Sequence, residues 1–375
     1  MIKRFCHLLI GYPVIIHKEF MVILVTGKNI NYLKWTFTKM NKQIIPNDAI
    51  MKYYFYFIEE RMNMFWRKIE GGWNDGWSKD PIFKTYKFTN VYRATDRVSQ
   101  YLIKSVIYKN IKQYKPEDVL LRILVFKIFN KIETWEYLEQ NLKNVLTVDS
   151  FDPHYISIIL SRRQKYAPIF SNAYMMTGSH KIYNYLPTKH EKWLTMVKKE
   201  IIDNNLFFKI MDASSMEAVY NILRGCSFIG DFLAYQYTID FNYSPYLNFS
   251  ENSFVKAGIG AIRGIKKCFI CYGDCFEDAI HFVQDNFYEL QHKYGFLAFK
   301  PLPNHLPTLI DLQNCFCETD KYLRVKMPEL VVDNIRIKQK YKESPKSIYF
   351  YFPDKWHIKN EELCTKPITK ELMLF

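Results

Sequence analysis

The chain has 375 residues, 49% hydrophobic and 24% charged, so it is long enough for one large domain or two smaller ones and too apolar to stay disordered. Only 13 Gly and 15 Pro exclude collagen-like and linker-dominated chains. Lys plus Arg number 52 against 38 for Asp plus Glu, a net charge of +14, and aromatic residues reach 17%. Such a composition suits phosphates and stacked bases, although AT-rich coding drift enriches Lys, Asn, Ile, Tyr and Phe equally well.

The charge is divided along the chain: residues 1–120 carry +10, 121–200 carry +5, 201–320 carry −6 and 321–375 return to +5. This predicts a basic face built from the flanks and an acidic middle that supplies something other than phosphate contacts. Residues 8–16 are apolar but interrupted by Gly11 and Pro13, with no cleavage site, and no stretch approaches the ~20 apolar residues of a membrane span. The expectation is an intracellular protein with no membrane association, nuclear in a eukaryote and in the host cytoplasm for a virus. Cys268, Cys271 and Cys275 form a C-x2-C-x3-C cluster with Cys315 and Cys317 downstream. That spacing matches no common zinc knuckle, so packed thiols are expected and neither a metal nor another cofactor.

The first fifty residues contain a β-prone run at 22–25 among scattered Lys and Asn, with Met21 and Met40 ahead of Met51. They read as a loosely attached arm, or as an extension upstream of a start near Met51. Beyond it, Tyr54, Phe57, Ile58, Met62, Phe65 and Ile69 recur at helical steps opposite Glu59, Glu60, Arg67 and Lys68, and Gly71-Gly72 stops that helix. A second helix is predicted from about Thr89 through Val91, Val98, Leu102 and Val106. Pro116-Glu117-Asp118 opens a third over residues 119–129, and Ser150 with Asp152-Pro153 caps another that ends at Arg162-Arg163. Ser214 and Glu217 form a capping box before the apolar run 216–223, and residues 206–210 and 348–352 are the best strand candidates. The pattern is mainly α, with an N-terminal extension (1–50), a helical domain (51–340) and a basic, aromatic tail (341–375) ordered only in part.

No G-x-x-x-x-G-K-[ST] loop, strand-linked GxGxxG, HExxH or GxSxG motif is present. Four polar blocks exceed what a plain helical core requires. In the first, around Asp80 and residues 87–97, Asn90, Arg93 and Arg97 would line one helical face and suit a phosphate or base edge; the plainer reading is a solvated face. In the second, residues 223–236, a glycine turn at Gly225 and Gly230 between apolar helices can present N–H donors to a phosphate, or be a tight corner. In the third, residues 251–267, Gly258, Gly260 and Gly264 with Lys256, Arg263, Lys266 and Lys267 read as a second backbone-donor nest. In the fourth, Asn314, Cys317, Glu318 and Lys321 share a helical face, as a polar site or as a surface ion pair.

These blocks resemble a known family. Residues 55–61, the loop Gly76-Trp77-Ser78-Lys79-Asp80-Pro81-Ile82, the run Tyr86-Lys87-Phe88-Thr89-Asn90-Val91-Tyr92-Arg93 with Asp96-Arg97, the glycine segment 257–265 and Gln313-Asn314-x2-Cys317-Glu318-x2-Lys321-Tyr322 are similar to the helical domain of phage 5-hydroxymethyluracil DNA kinases. That domain belongs to the wider set of alpha-glutamyl/putrescinyl thymine pyrophosphorylases, or amino acid:DNA transferases. Gly76 and Lys79 depart from its usual residues. Ile229-Gly230-Asp231-Phe232-Leu233-Ala234-Tyr235 is also similar to the second half of the hairpin of helix-hairpin-helix DNA glycosylases, with Phe228 where the first glycine would stand.

The resemblance implies a mainly α, helix-hairpin-helix DNA-glycosylase-like helical domain that grips DNA and acts on a modified pyrimidine. In such a pathway an activated base carries a pyrophosphate ester and an amine displaces pyrophosphate. Asn90, Arg93, Arg97, Gly230, Gly258, Gly260, Arg263, Lys266 and Asn314 would then meet DNA or phosphate, and Trp77 and Phe228 would stack on a flipped base. Glu251, about twenty residues beyond Gly230, is the first candidate carboxylate; Glu318, Lys321 and Asp80 complete the candidate catalytic set, while Asp231 and Asp240 are structural. Without a P-loop the ATP-dependent step needs a separate P-loop DNA kinase as partner. A non-catalytic DNA-binding module and a glycosylase for modified pyrimidines are the alternatives.

Overall fold

In the computed structural model, which describes residues 20–26, 29–35, 42–71, 77–172, 176–331, 340–341, 347–359 and 363–364, the β-prone N-terminal run forms an antiparallel hairpin of β1 (Phe20–Thr26) and β2 (Asn29–Trp35). β3 (Ile44–Pro46) pairs antiparallel with β4 (Phe269–Tyr272), so the chain is tied to the body upstream of Met51. Asn47 N–H donates to the Cys268 carbonyl at 2.8 Å, and Asp48 accepts from Lys293 and the Tyr294 hydroxyl.

The predicted first helix is α1 (Asp48–Glu70), ended by Gly71 at φ +76°. Gly72 and Gly76 fall among residues 72–76, outside the described residues. Asp80 caps the short α2 (Pro81–Thr85). The continuous helix expected from Thr89 does not form. A 3-10 turn (Arg93–Thr95) gives way to α3 (Arg97–Tyr101), which runs into a π-helical segment (Leu102–Tyr108). The cause is local: the Asp96 carboxylate accepts the Asn90 N–H at 2.9 Å and the Asn90 amide donates to the Thr95 carbonyl, so side chains take the bonds a helical ladder would use. Asn90, Arg93 and Arg97 therefore share no helical face.

The next elements are α4 (Pro116–Phe129), α5 (Ile132–Asn141), α6 (Pro153–Gln164, capped by Asp152) and α7 (Lys189–Met196). Residues 206–210, expected as a strand, lie in α8 (Leu206–Met211), with Phe207 and Ile210 buried one turn apart; so short an apolar run has no decisive period. The cap of α9 (Met216–Arg224) is Ser215 rather than Ser214, its hydroxyl accepting the Ala218 N–H at 3.1 Å. Then come α10 (Asp231–Asn242), α11 (Ile259–Cys268), α12 (Phe276–Asp285), α13 (Phe287–Tyr294) and α14 (Leu309–Lys326). Among the described residues the other expected strand, 348–352, makes only the isolated bridge Tyr349–Cys364, yet Phe350, Phe352, Trp356, Ile358 and Leu363 are buried in the core.

α14 packs against α1, α11 and α12 at the centre of this mainly helical body. The α11 glycines make that approach possible. A Cβ on Gly264 would stand 2.1 Å from the Phe316 carbonyl oxygen, and one on Gly260 would stand 2.4 Å from the Cys317 sulfur. Gly230, by contrast, has nothing within 4 Å. Gly264→Ala is therefore expected to cost about 1–3 kcal/mol by overpacking and Gly230→Ala under about 1 kcal/mol. Urea denaturation of both variants measures this, and equal losses would contradict the packing role.

Candidate active site

Asp80 stands at the junction of α1, α2 and α14. Its Oδ2 accepts hydroxyl hydrogens from Tyr56 on α1 and Tyr322 on α14, at 2.9 and 2.8 Å, while Oδ1 accepts the Ile82 N–H at 2.7 Å. Burial, reinforced by the bonded carboxylate, holds both phenols well above the ordinary tyrosine value of 10, so they stay protonated as donors. A cavity of about 410 Å³ opens here, walled by Tyr53, Tyr56, Phe296 and Tyr322, with Asp80 in its lining and Lys52 and Lys326 also on it.

Glu318, one turn before Tyr322 on α14, lies outside the lining of this cavity. Its Oε1 lies 2.6 Å from the Lys321 ammonium and its Oε2 accepts the Thr89 N–H at 3.2 Å. Thr89 and Asn90 in turn hold Arg61: the Arg61 Nε donates to the Thr89 carbonyl at 3.0 Å and its Nη2 to Asn90 Oδ1 at 2.5 Å. A second cavity, about 160 Å³, borders Arg61, Lys68, Lys87, Asn90, Asp96 and Arg97, with Phe83 and Phe88 among its apolar lining. Burial pushes the Asp96 carboxyl up to about 6, against the Asn90 N–H and the Arg61 charge, which pull it down.

Of the sequence candidates, Asp80 lines the larger cavity and Asn90 and Arg97 line the smaller, while Glu318 and Lys321 pair with each other on α14 and line neither. The remaining candidates lie elsewhere. Arg93 is buried, with its guanidinium on Asp240 (2.8 Å) and Gln236 (3.0 Å) and its N–H on Asp311, so it faces protein groups and not solvent. Lys127 shares Asp240 at 3.4 Å, which makes Asp240 a buried ion-pair centre, while Asp231 pairs with Arg224 and the Tyr220 hydroxyl. Arg97, on the smaller cavity, is exposed and 3.4 Å from Glu133. On α11, Gly258 is the helix N-cap beside Gln313 and Phe232, Gly260 accommodates Cys317, and Lys266 lies 5.7 Å over the Phe276 ring; Arg263 is half-buried on the same helix. Asn314 is half-buried on α14.

The two aromatic candidates are packed. Trp77 is 8% exposed, with the Lys68 ammonium 5.8 Å from its ring centroid. Phe228 adopts φ +67°, the left-handed conformation a hairpin glycine would take, and its ring stacks on Trp193 at 5.0 Å beside Tyr183 and His180. Gly230 is the N-cap of α10. Among the described residues no group of three or more His, Cys, Asp or Glu is placed to hold a metal, and no helix is long and apolar enough to cross a membrane.

Glu251 lies apart from both cavities. Its carboxylate accepts the Trp356 indole N–H at 2.8 Å and is 3.8 Å from His305, whose ring stacks on Trp356 at 3.7 Å. Burial, then the charge of Asp311, pushes Glu251 up to about 7, while burial lowers Lys355 and drives His305 down to about 4. Lys52, Tyr53, Phe296 and Lys326 were not singled out by sequence, whereas Tyr56 and Arg61 fall in the run 55–61 that carries the family resemblance. Arg61 also stands out as a cation within the helical apolar stripe of Tyr54, Phe57, Ile58 and Phe65.

The family model described as "5-hmdU DNA kinase, helical domain" matches residues 48–332. A 5-hmdU DNA kinase of Bacillus phage SP10 is 23% identical over 231 residues, covering 58% of this chain and only 36% of that protein's length. No solved structure matches the chain.

The raised Glu251 value has a stability consequence. Between its ordinary 4.5 and about 7 the folded state retains a proton that the unfolded state has lost, so this group's contribution falls as pH rises through that window. Glu251→Gln should therefore become progressively more stabilising relative to the parent between pH 5 and 8. Denaturation midpoints at both pH values measure this; a pH-independent difference would contradict the buried, proton-retaining carboxyl.

Proposed function

Since the chain belongs to the family of 5-hmdU DNA kinase helical domains, we propose that it binds DNA carrying a modified thymine or uracil and displaces pyrophosphate from an activated base with an amine. The observation that carries this reading is the aromatic cavity at Asp80. Its volume of about 410 Å³ lies within the ~300–1,000 Å³ of sites that enclose organic ligands. Its tyrosine and phenylalanine walls offer stacking surfaces to a base turned out of the duplex.

The chemistry fits the groups present. The amine nitrogen forms a bond to the exocyclic carbon of the base as the carbon–oxygen bond to pyrophosphate breaks. The proton shed by the amine goes to Asp80, and Lys52 and Lys326 offset the charge gathering on the leaving oxygens. Glu318 and Lys321 act behind this cavity, fixing the Thr89 backbone and with it the Asn90–Arg61 pair. The turn between α9 and α10, with Phe228 left-handed and Gly230 leading into the helix, supports a hairpin-type contact to the DNA backbone, which a helix N-terminus favours. A P-loop kinase would act upstream as a separate partner.

The test incubates the protein with duplex DNA bearing the pyrophosphate ester of 5-hydroxymethyluracil and a panel of primary amines, then digests to nucleosides for mass spectrometry. A new base adduct is expected, reduced about 100-fold or more in Asp80→Asn while salt-sensitive DNA binding persists. An abasic site would instead mark a glycosylase, and binding without either product would mark a non-catalytic module.

A further inference from the structure

The smaller cavity beside α2 has a different chemical character. At about 160 Å³ it falls below the ~300–1,000 Å³ of sites that enclose organic ligands and holds the equivalent of about five waters at ~30 Å³ each. Arg61 reaches it from the apolar face of α1, and its Nε and Nη2 are fixed by the Thr89 carbonyl and the Asn90 amide oxygen. Its Nη1 is buried and, among the described residues, has no hydrogen-bond partner. The hydroxyl of Thr89, the residue whose carbonyl steadies that guanidinium, is buried and unpartnered in the same way. Thr89 lies outside the cavity's lining, whereas the Arg61 donor belongs to a residue on it and is costly unless an acceptor completes it.

The surrounding charge says what kind of acceptor fits. Lys68, Lys87 and Arg97 join Arg61 on the lining, against the single carboxylate of Asp96, which already accepts the Asn90 N–H. Phe83 and Phe88 exclude water from one side and strengthen electrostatic attraction there. A small, oxygen-rich anion meets all of these conditions, and a neutral base does not.

We infer that this cavity is a phosphoryl-anion site, in which Arg61 donates to a phosphoryl oxygen while Lys87 and Arg97 neutralise the anion's charge. The inference rests on the reading of the Asp80 cavity, which shares α2 with it, and deepens that reading by giving the phosphoryl group its own seat. The anion comes either from free pyrophosphate or from a phosphate of the DNA backbone.

Calorimetric titration of the full chain with sodium pyrophosphate, and separately with unmodified duplex DNA, tests the site in the parent, Lys87→Ala and Arg97→Ala. Arg61→Met removes the anchor but also its ties to Thr89 and Asn90, so Lys87→Ala and Arg97→Ala, which leave those bonds in place, decide if that variant misfolds. Each substitution is expected to weaken at least one ligand by about tenfold. A loss for pyrophosphate assigns the free anion, and a loss for DNA alone assigns the backbone phosphate. Unchanged affinities in both variants, or no binding of either ligand by the parent, overturn the inference. Base-adduct formation without any effect of these substitutions would leave the Asp80 reading standing and remove the phosphoryl site. Weakened binding without adduct formation would do the reverse.

Discussion

The structure depends on one constraint: α14 is buried along most of its length yet carries three carboxylates, and each must find donors on a neighbouring element. Asp311 takes the N–H groups of Thr308 and Arg93. Glu318 takes the Thr89 N–H and the Lys321 ammonium, and Asp320 takes Lys267 of α11 together with Arg324. Tyr322, one turn after Glu318, reaches Asp80. Satisfying one helix therefore positions α11, the loop before α2 and the irregular segment 89–96, the parts that border the two cavities.

This constraint also explains why the cavities lie side by side. α2 is anchored at its start by Asp80, which two phenols and its own cap bond hold in place, and it contributes Phe83 to the neighbouring cavity. Positions in this arrangement are set by buried hydrogen bonds and not by flexible surface loops, as a pre-organised site requires. The Glu251 cluster is a separate buried assembly whose partners, Trp356 and Lys355, come from the C-terminal segment, so it ties that segment to the body.

Much of the fold was legible because its signals are local. The apolar period of α1, the Pro116 start of α4 and the Asp152 cap of α6 each need only a few consecutive residues. The errors came where side chains overrode the pattern: Asp96 and Asn90 broke an expected helix, and the five apolar-rich residues at 206–210 carried no period to separate strand from helix. The site was half legible. Asp80, Asn90, Glu318 and Lys321 were visible as unexplained polar density, but the walls of the cavity come from residues as distant as Tyr56 and Phe296, which look like ordinary core aromatics until folding brings them together. The glycines at 258–264, read as an anion nest, include two that serve helix approach, a distinction only the α14 backbone could supply.

The aromatic cavity at Asp80 is proposed to receive a modified base. Photo-crosslinking of duplex DNA carrying 5-iodouracil at the target position, followed by peptide mapping, tests this most directly. Crosslinks on Tyr53, Tyr56 or Tyr322 are expected. Crosslinks confined to Phe228, Trp356 or other residues outside this cavity would contradict it.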